Sequence, residues 1–191
     1  MKFNTPMEIQ NYLNNIKYNG DENFKCPANV EKIKTANCTE GAFFAATHLK
    51  KLGYGTYIVV MLADNDDDHL IAAFKKGKYW GAVAKSNTSV LRFREPIYST
   101  VRELVMSYFD FYFNTDYEKT LRKYSEPIPI REFEEFLNED NKNYWDIIED
   151  AKYFGILKKD QINELEKVDP ELYKLCFALS DWDGLYKPEK E

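Results

Sequence analysis

The sequence predicts an α+β fold, and three observations carry that reading. Apolar residues at helical spacing mark two segments before Gly53, the second an alanine-rich stretch from Cys38 to Leu52. From Tyr57 the period changes, and three apolar or β-branched runs follow one another: Tyr57 to Leu62, His69 to Phe74 and Tyr79 to Lys85. After Ile130 helical spacing returns. Strands gathered in the middle of a chain and helices at its ends describe segregated layers, whereas a parallel sheet would need strands and helices in alternation.

The elements can be justified in order. Thr5 can cap a first helix, Pro6 suits its first turn and Glu8 closes a capping box; Ile9, Tyr12, Leu13 and Ile16 then give it one apolar face. Asn19-Gly20 is a turn, and residues 21–36, interrupted by Pro27, read as loop with a short helix. The helix from Cys38 is apolar nearly all round until Lys50 and Lys51, with Gly53 as its stop. The run from Tyr57 is a central strand, Asp64 to Asp68 an acidic loop, and the next two strands a hairpin turning at Lys75 to Lys78. Val90 to Phe93 adds a short strand ended by Pro96. Thr100 and Glu103 open a helix whose face is Val101, Leu104, Val105, Tyr108 and Tyr112. Lys119 to Tyr124 reads as an edge strand. Helices are expected at Arg131–Asn138, Tyr144–Phe154, Lys159–Val168 and Pro170–Leu179, with charged, frayed residues from Lys187 to Glu191. The expected organisation is a core over residues 1–126 and a C-terminal helical segment over 127–191.

Composition narrows the function classes. The 191 residues carry 26 Lys and Arg against 32 Asp and Glu, a net charge of −6. That disfavours nucleic acid, which needs a basic surface. No run reaches the roughly 18 apolar residues that span a bilayer. Met1 to Asn15 is too polar for a secretion signal, so the chain reads as complete and cytoplasmic, with no membrane partner. Three cysteines, Cys26, Cys38 and Cys176, are too few and unpaired for a disulfide framework, and none forms a CxxC pair for zinc. Cys26 reads as incidental and Cys176 as core. Asp64, Asp66 and Asp68 alternate like a calcium loop, but His69 stands where a glycine is required and Lys75 where the closing Glu belongs. Dinucleotide, P-loop and HExxH motifs are absent, and neither a metal nor a cofactor is expected.

Only two histidines exist, His48 and His69. His48 lies ten positions beyond Cys38 on the same helix, roughly 15 Å away, and reads as structural. Cys38 and His69 form the constellation of interest. A thiol where a helix begins feels unpaired N–H groups and the positive end of the dipole, which favour thiolate and can hold an oxyanion. A neutral imidazole opening a strand can take the thiol proton and return it to a leaving group. The neighbouring Asp66, Asp67 and Asp68 are expected to raise the pKa of His69. The bland reading of each is a core cysteine and a satisfied strand histidine.

Three stretches, Asn37-Cys38-Thr39-Glu40-Gly41-Ala42, Asp67-Asp68-His69-Leu70-Ile71-Ala72-Ala73-Phe74 and Tyr79-Trp80-Gly81-Ala82-Val83-Ala84-Lys85-Ser86-Asn87, resemble the core of the transglutaminase-like superfamily, in its microbial branch. The resemblance spans roughly residues 30–125. It implies a papain-like core, a cysteine-bearing helix packed on an antiparallel sheet that carries the histidine. It also implies thiol acyl transfer through a thioester. A third residue, Asp or Asn, shortly after the tryptophan strand orients the histidine in that family. Four positions past Trp80 this chain has Ala84; of the next three residues Asn87 is the best orienter, Ser86 a weaker one, and Lys85 cannot accept a hydrogen bond. The resulting expectation is a cysteine protease or amidase acting on a peptide or protein amide, with Cys38 as nucleophile, His69 as general acid and base, and Asn87 orienting. The alternative is a catalytically inactive binding or scaffold protein on the same fold. An enzyme needs the Cys38 sulfur about 3–4 Å from a His69 ring nitrogen.

Overall fold

A computed structural model describes residues 1–20, 23–141, 143–178 and 180. Its first helix, α1 (Pro6–Asn15), starts where the capping signal lies: the Thr5 side chain accepts from the Glu8 amide at 3.2 Å. Two short strands, β1 (Lys17–Tyr18) and β2 (Thr35–Ala36), pair in parallel on either side of a helix α2 (Pro27–Ile33). Pro27 begins that helix instead of breaking the chain, because a first-turn residue needs no N–H donor. The alanine-rich helix is α3 (Cys38–Lys51), and Gly53 takes the positive φ of +86° that ends it.

The strands that follow build one seven-stranded sheet. They are β3 (Gly55–Ala63), β4 (His69–Lys76), β5 (Tyr79–Val83), β6 (Arg94–Tyr98), β7 (Leu121–Ser125), β8 (Ile128–Pro129) and β9 (Tyr153–Gly155). Their order is β6-β5-β4-β3-β7-β9, with β8 also on β3, and every pairing is antiparallel. Helix α4 (Val101–Met106) links β6 to the region before β7. Helices α5 (Trp145–Glu149), α6 (Lys159–Asn163) and α7 (Pro170–Ala178) complete the chain order. The fold is mixed α and β, as the change of period implies.

Alternation along the strands gives the sheet two buried faces. Ile58, Val60, Leu70, Ala72, Phe74 and Val83 pack against α1, α2 and α3. Val59, Met61, Ile71, Ala73 and Ala82 pack against α4 and the turn after it. Met61 and His69 are register partners, so His69 belongs with Ile71 and Ala73, on the face away from α3.

Several expectations are corrected. Val90 to Phe93 is not a strand; a 3-10 turn covers Ser89–Leu91, and β6 begins later and contains Pro96. Pro96 is tolerated there because β6 is the sheet edge, where a missing N–H removes no ladder bond. The helix opened by Thr100 ends at Met106 and a 3-10 turn follows at Phe109–Phe111. Strand β7 is not an edge, because β9 pairs with its far side. Strand β9 arises from a segment expected to be helical, and the expected helix over 131–138 is a 3-10 run, Ile130–Phe136. Over its described residues the segment 127–191 is thus only partly helical. It supplies β8 and β9 to the sheet and places Phe133 in the core, 5.0 Å from the Phe43 ring. The expectations for Leu179 and for Lys187 to Glu191 lie outside the described residues.

Candidate active site

The start of α3 is set by a reciprocal cap. Asn37 accepts from the Glu40 amide at 2.9 Å, and the Glu40 carboxylate accepts from the Asn37 amide at 2.8 Å. Glu40 is fully buried, yet its oxygens also accept from Asn19 Nδ2 at 3.0 Å and from the Lys25 amide at 2.9 Å. Burial pushes its pKa up, and these donors hold it back. The cap leaves Cys38 as the first helical residue, where the backbone N–H has no acceptor inside the helix.

The same carboxylate anchors β1 beside the cap, because Asn19 directly follows Tyr18, and Tyr18 pairs with Ala36. The Tyr18 phenol thereby lies against both the amide and the thiol of Cys38. Burial is the main cause raising its pKa, followed by charge on Cys38 and Asp67, while the Cys38 amide lowers it.

The Cys38 sulfur sits 3.9 Å from Thr39 Oγ1 and 3.9 Å from the Asp68 carbonyl oxygen. Burial raises the thiol pKa. The amides of Leu70 and Thr39 and the Thr39 hydroxyl act the other way, and Asp67 adds to the rise. The donors expected at a helix start are therefore present, but desolvation outweighs them, and the thiol rests protonated.

His69 opens β4 and is 4% exposed. Its Nε2 lies 3.0 Å from the Leu91 carbonyl oxygen. A carbonyl only accepts, so Nε2 carries the proton of the neutral ring and Nδ1 keeps a lone pair. Burial drives the pKa down to about 4, with Arg94 adding to the fall and the Leu91 carbonyl opposing it. This reverses the rise expected from the acidic loop. Two of the loop carboxylates are engaged elsewhere: Asp66 accepts from the Thr120 hydroxyl at 2.6 Å, and Asp68 from the Ala63 amide at 2.8 Å. Asp66 itself is pushed up to about 6 by burial.

Cys38, His69 and Asn87 all line one cleft, with Tyr18, Tyr112 and Phe177 among the other walls. No hydrogen bond joins the thiol to the imidazole. The sulfur meets the backbone of β4's first residues, whereas the ring projects from the opposite face to Leu91. The oxygen in reach of His69 Nε2 is the Leu91 carbonyl; Asn87 Oδ1 accepts from Ser86 Oγ at 3.3 Å. Lys85 lies buried with Nζ donating to the Leu13 and Ile16 carbonyls at 2.9 and 2.6 Å, which closes the end of α1.

His48 is held in the core between Phe3 and Phe44, with ring centroids 4.9 and 4.5 Å away. Cys26 is 3% exposed at the N-cap position of α2, where its side chain makes no capping bond, and its amide donates to Asp140 at 2.8 Å. Cys176 is buried as expected and also lines the cleft. Among the described residues no three His, Cys, Asp or Glu side chains converge to hold a metal ion, and no helix is long and apolar enough to cross a membrane.

Sequence reasoning missed Tyr18, the Leu91 carbonyl and the aromatic wall from α7. The pattern Asn37-x-x-Glu40 was a readable capping signal of the same kind as Thr5 with Glu8. Tyr18 had no local signal, because its place depends on a strand pairing. No protein-family model matches the chain, and no curated protein matches it.

Proposed function

We propose that the cleft is the active site of a cysteine-dependent acyl-transfer enzyme with a transglutaminase-like, papain-like core, hydrolysing a peptide or protein amide. The observation that carries this reading is the convergence of Cys38, at the first position of a capped helix, with His69 and Asn87 on one cleft. In this reading catalysis requires the thiol and the His69 ring, which line the same cleft but do not touch in this structure, to come into contact. Both groups rest neutral, so the thiol proton passes to Nδ1 as sulfur bonds to the substrate carbonyl carbon. The oxygen of the tetrahedral intermediate gathers negative charge beside the Cys38 amide and the Tyr18 hydroxyl, which serve as its donors. Collapse breaks the C–N bond, and the amine leaves with the proton held by His69. Water then attacks the thioester, gives its proton to His69 and frees the acid, returning the thiol. The Leu91 carbonyl fixes the ring and its tautomer, the part expected of Asn87, which stands in the wall beside it.

A second reading, a cleft that binds a peptide without chemistry, is favoured by one observation: the thiol meets Thr39, the Asp68 carbonyl, the Leu70 amide and the Tyr18 phenol, and not His69. Incubation with 4-nitrophenyl acetate near neutral pH separates the two. The enzyme reading expects acetylation of Cys38 followed by deacylation, none of it in Cys38→Ala, and both steps slowed about 10²–10⁴-fold in His69→Gln. Ester turnover that survives Cys38→Ala, or is indifferent to His69→Gln, removes the enzyme reading and leaves the binding cleft.

A further inference from the structure

The inner side of α7 carries Cys176 and Phe177 into the cleft that holds Cys38. Residues 164–169 before it have no regular structure, and α7 belongs to no sheet pairing. Its ring contacts run to the loop between Phe113 and Lys119. The Tyr173 ring stacks on Tyr117 at 3.9 Å and on Phe177 at 4.1 Å, and Phe113 lies 5.8 Å from Tyr173. Around this row stand a Tyr173 hydroxyl bond to the Thr115 carbonyl at 3.4 Å, a Val168 amide bond to the Tyr117 carbonyl at 2.9 Å and a Lys167 Nζ bond to the Asp116 carbonyl at 3.2 Å. Beyond the helix, Ser180 bridges to Thr88, next to Asn87. On the outer side Leu175 is 61% exposed.

We propose that α7 is a strap across the Cys38 cleft, and that release of its aromatic row from the Phe113–Lys119 loop governs access to the thiol. The placement supports this in two ways. A helix fixed by stacked rings, a few hydrogen bonds to one loop and the Ser180–Thr88 bridge opens at lower cost than strands bonded on both sides, so it can leave while the sheet stays folded. The groups that would leave with it are cleft walls, so its opening uncovers the site. Because access to the sulfur is at issue, the inference stands apart from the acyl-transfer reading: a strap gates a binding cleft equally well.

The test is the rate of Cys38 alkylation by iodoacetamide at alkaline pH, read by peptide mapping so that Cys26 and Cys176 are scored separately. Tyr173→Ala removes the central ring and is expected to raise the Cys38 rate about tenfold or more, while Leu175→Ala, on the outer side, leaves it unchanged. A Tyr173→Ala rate within about twofold of the parent, or an equal rise in Leu175→Ala, overturns the proposal. Hydrogen exchange on the unaltered chain tests the same point without any variant. Amides of 171–178 are expected to exchange about 100-fold faster than those of β3 and β4, and exchange at the rate of the sheet overturns it.

Discussion

Tyr18 is the residue at which the proposed chemistry can be separated from mere proximity. Its hydroxyl lies against the Cys38 amide, where the oxygen of a tetrahedral intermediate would need a second donor. It cannot serve as a base, since burial holds its pKa above the ordinary phenol value. Removing the hydroxyl while keeping the ring leaves the packing in place. Tyr18→Phe is therefore expected to slow Cys38 acylation by about 10²–10³-fold, the effect of deleting one oxyanion donor. Iodoacetamide alkylation of the same thiol forms no oxyanion, so its rate should change far less, through the thiol contact alone. Equal losses in both reactions would assign Tyr18 to shaping the cleft. The sequence made Cys38, His69 and Asn87 legible because their residue types carry chemistry and their order is informative. It was silent on Tyr18 and on the Leu91 carbonyl. A tyrosine among 14 has no mark of its own, and a backbone carbonyl becomes a partner only through the turn that presents it.

At the level of elements, α3 is positioned by a close approach that only glycine permits. A Cβ at Gly41 would collide with Lys85 Cβ, and Lys85 is fixed in turn by its bonds to the end of α1. Gly41 is thus the contact at which α3, the segment after β5, and α1 meet. In an isolated helix Gly→Ala stabilises by about 1 kcal/mol. Here overpacking should reverse the sign, and Gly41→Ala is expected to cost about 1–3 kcal/mol in urea unfolding. A neutral or stabilising result would mean that Lys85 yields and that the α1 anchor is loose. Element existence was legible where signals are local: the cap at Thr5, the stop at Gly53, the hairpin around Gly77. It failed where pairing is long-range. Nothing near Tyr153 announces β9, which exists because β7 offers it an unpaired side, and Pro96 looked like a terminator because a sequence does not reveal which strand will be the edge.

For the whole molecule, the consequence of these burials is a dependence of stability on pH. His48 and His69 each fall from an ordinary 6.5 to about 4, burial being the first cause in both. A base whose pKa is lower folded than unfolded binds its proton first in the unfolded chain, so stability is full above 6.5 and is lost as pH falls toward 4. At about 1.4 kcal/mol per pH unit, each histidine is worth about 3 kcal/mol over that window. Asp66 opposes them: raised to about 6, it protonates first in the folded chain and adds stability as pH falls through the same range. Asp67, Asp68 and Glu40 are likewise raised by burial, while Glu31 and Asp140 are lowered, so the net acid response sums many groups and is best read one group at a time. His48 is the suitable probe, since it lies among Phe3 and Phe44 and lines no part of the Cys38 cleft. Urea unfolding of the parent and of His48→Leu should be compared between pH 7 and pH 4. The stability difference is expected to move by about 3 kcal/mol in favour of the variant as the pH drops, because only the parent must keep that imidazole neutral. A difference that stays constant would mean that His48 is protonated as readily in the fold as in the unfolded chain, and that the core around Phe3 admits water.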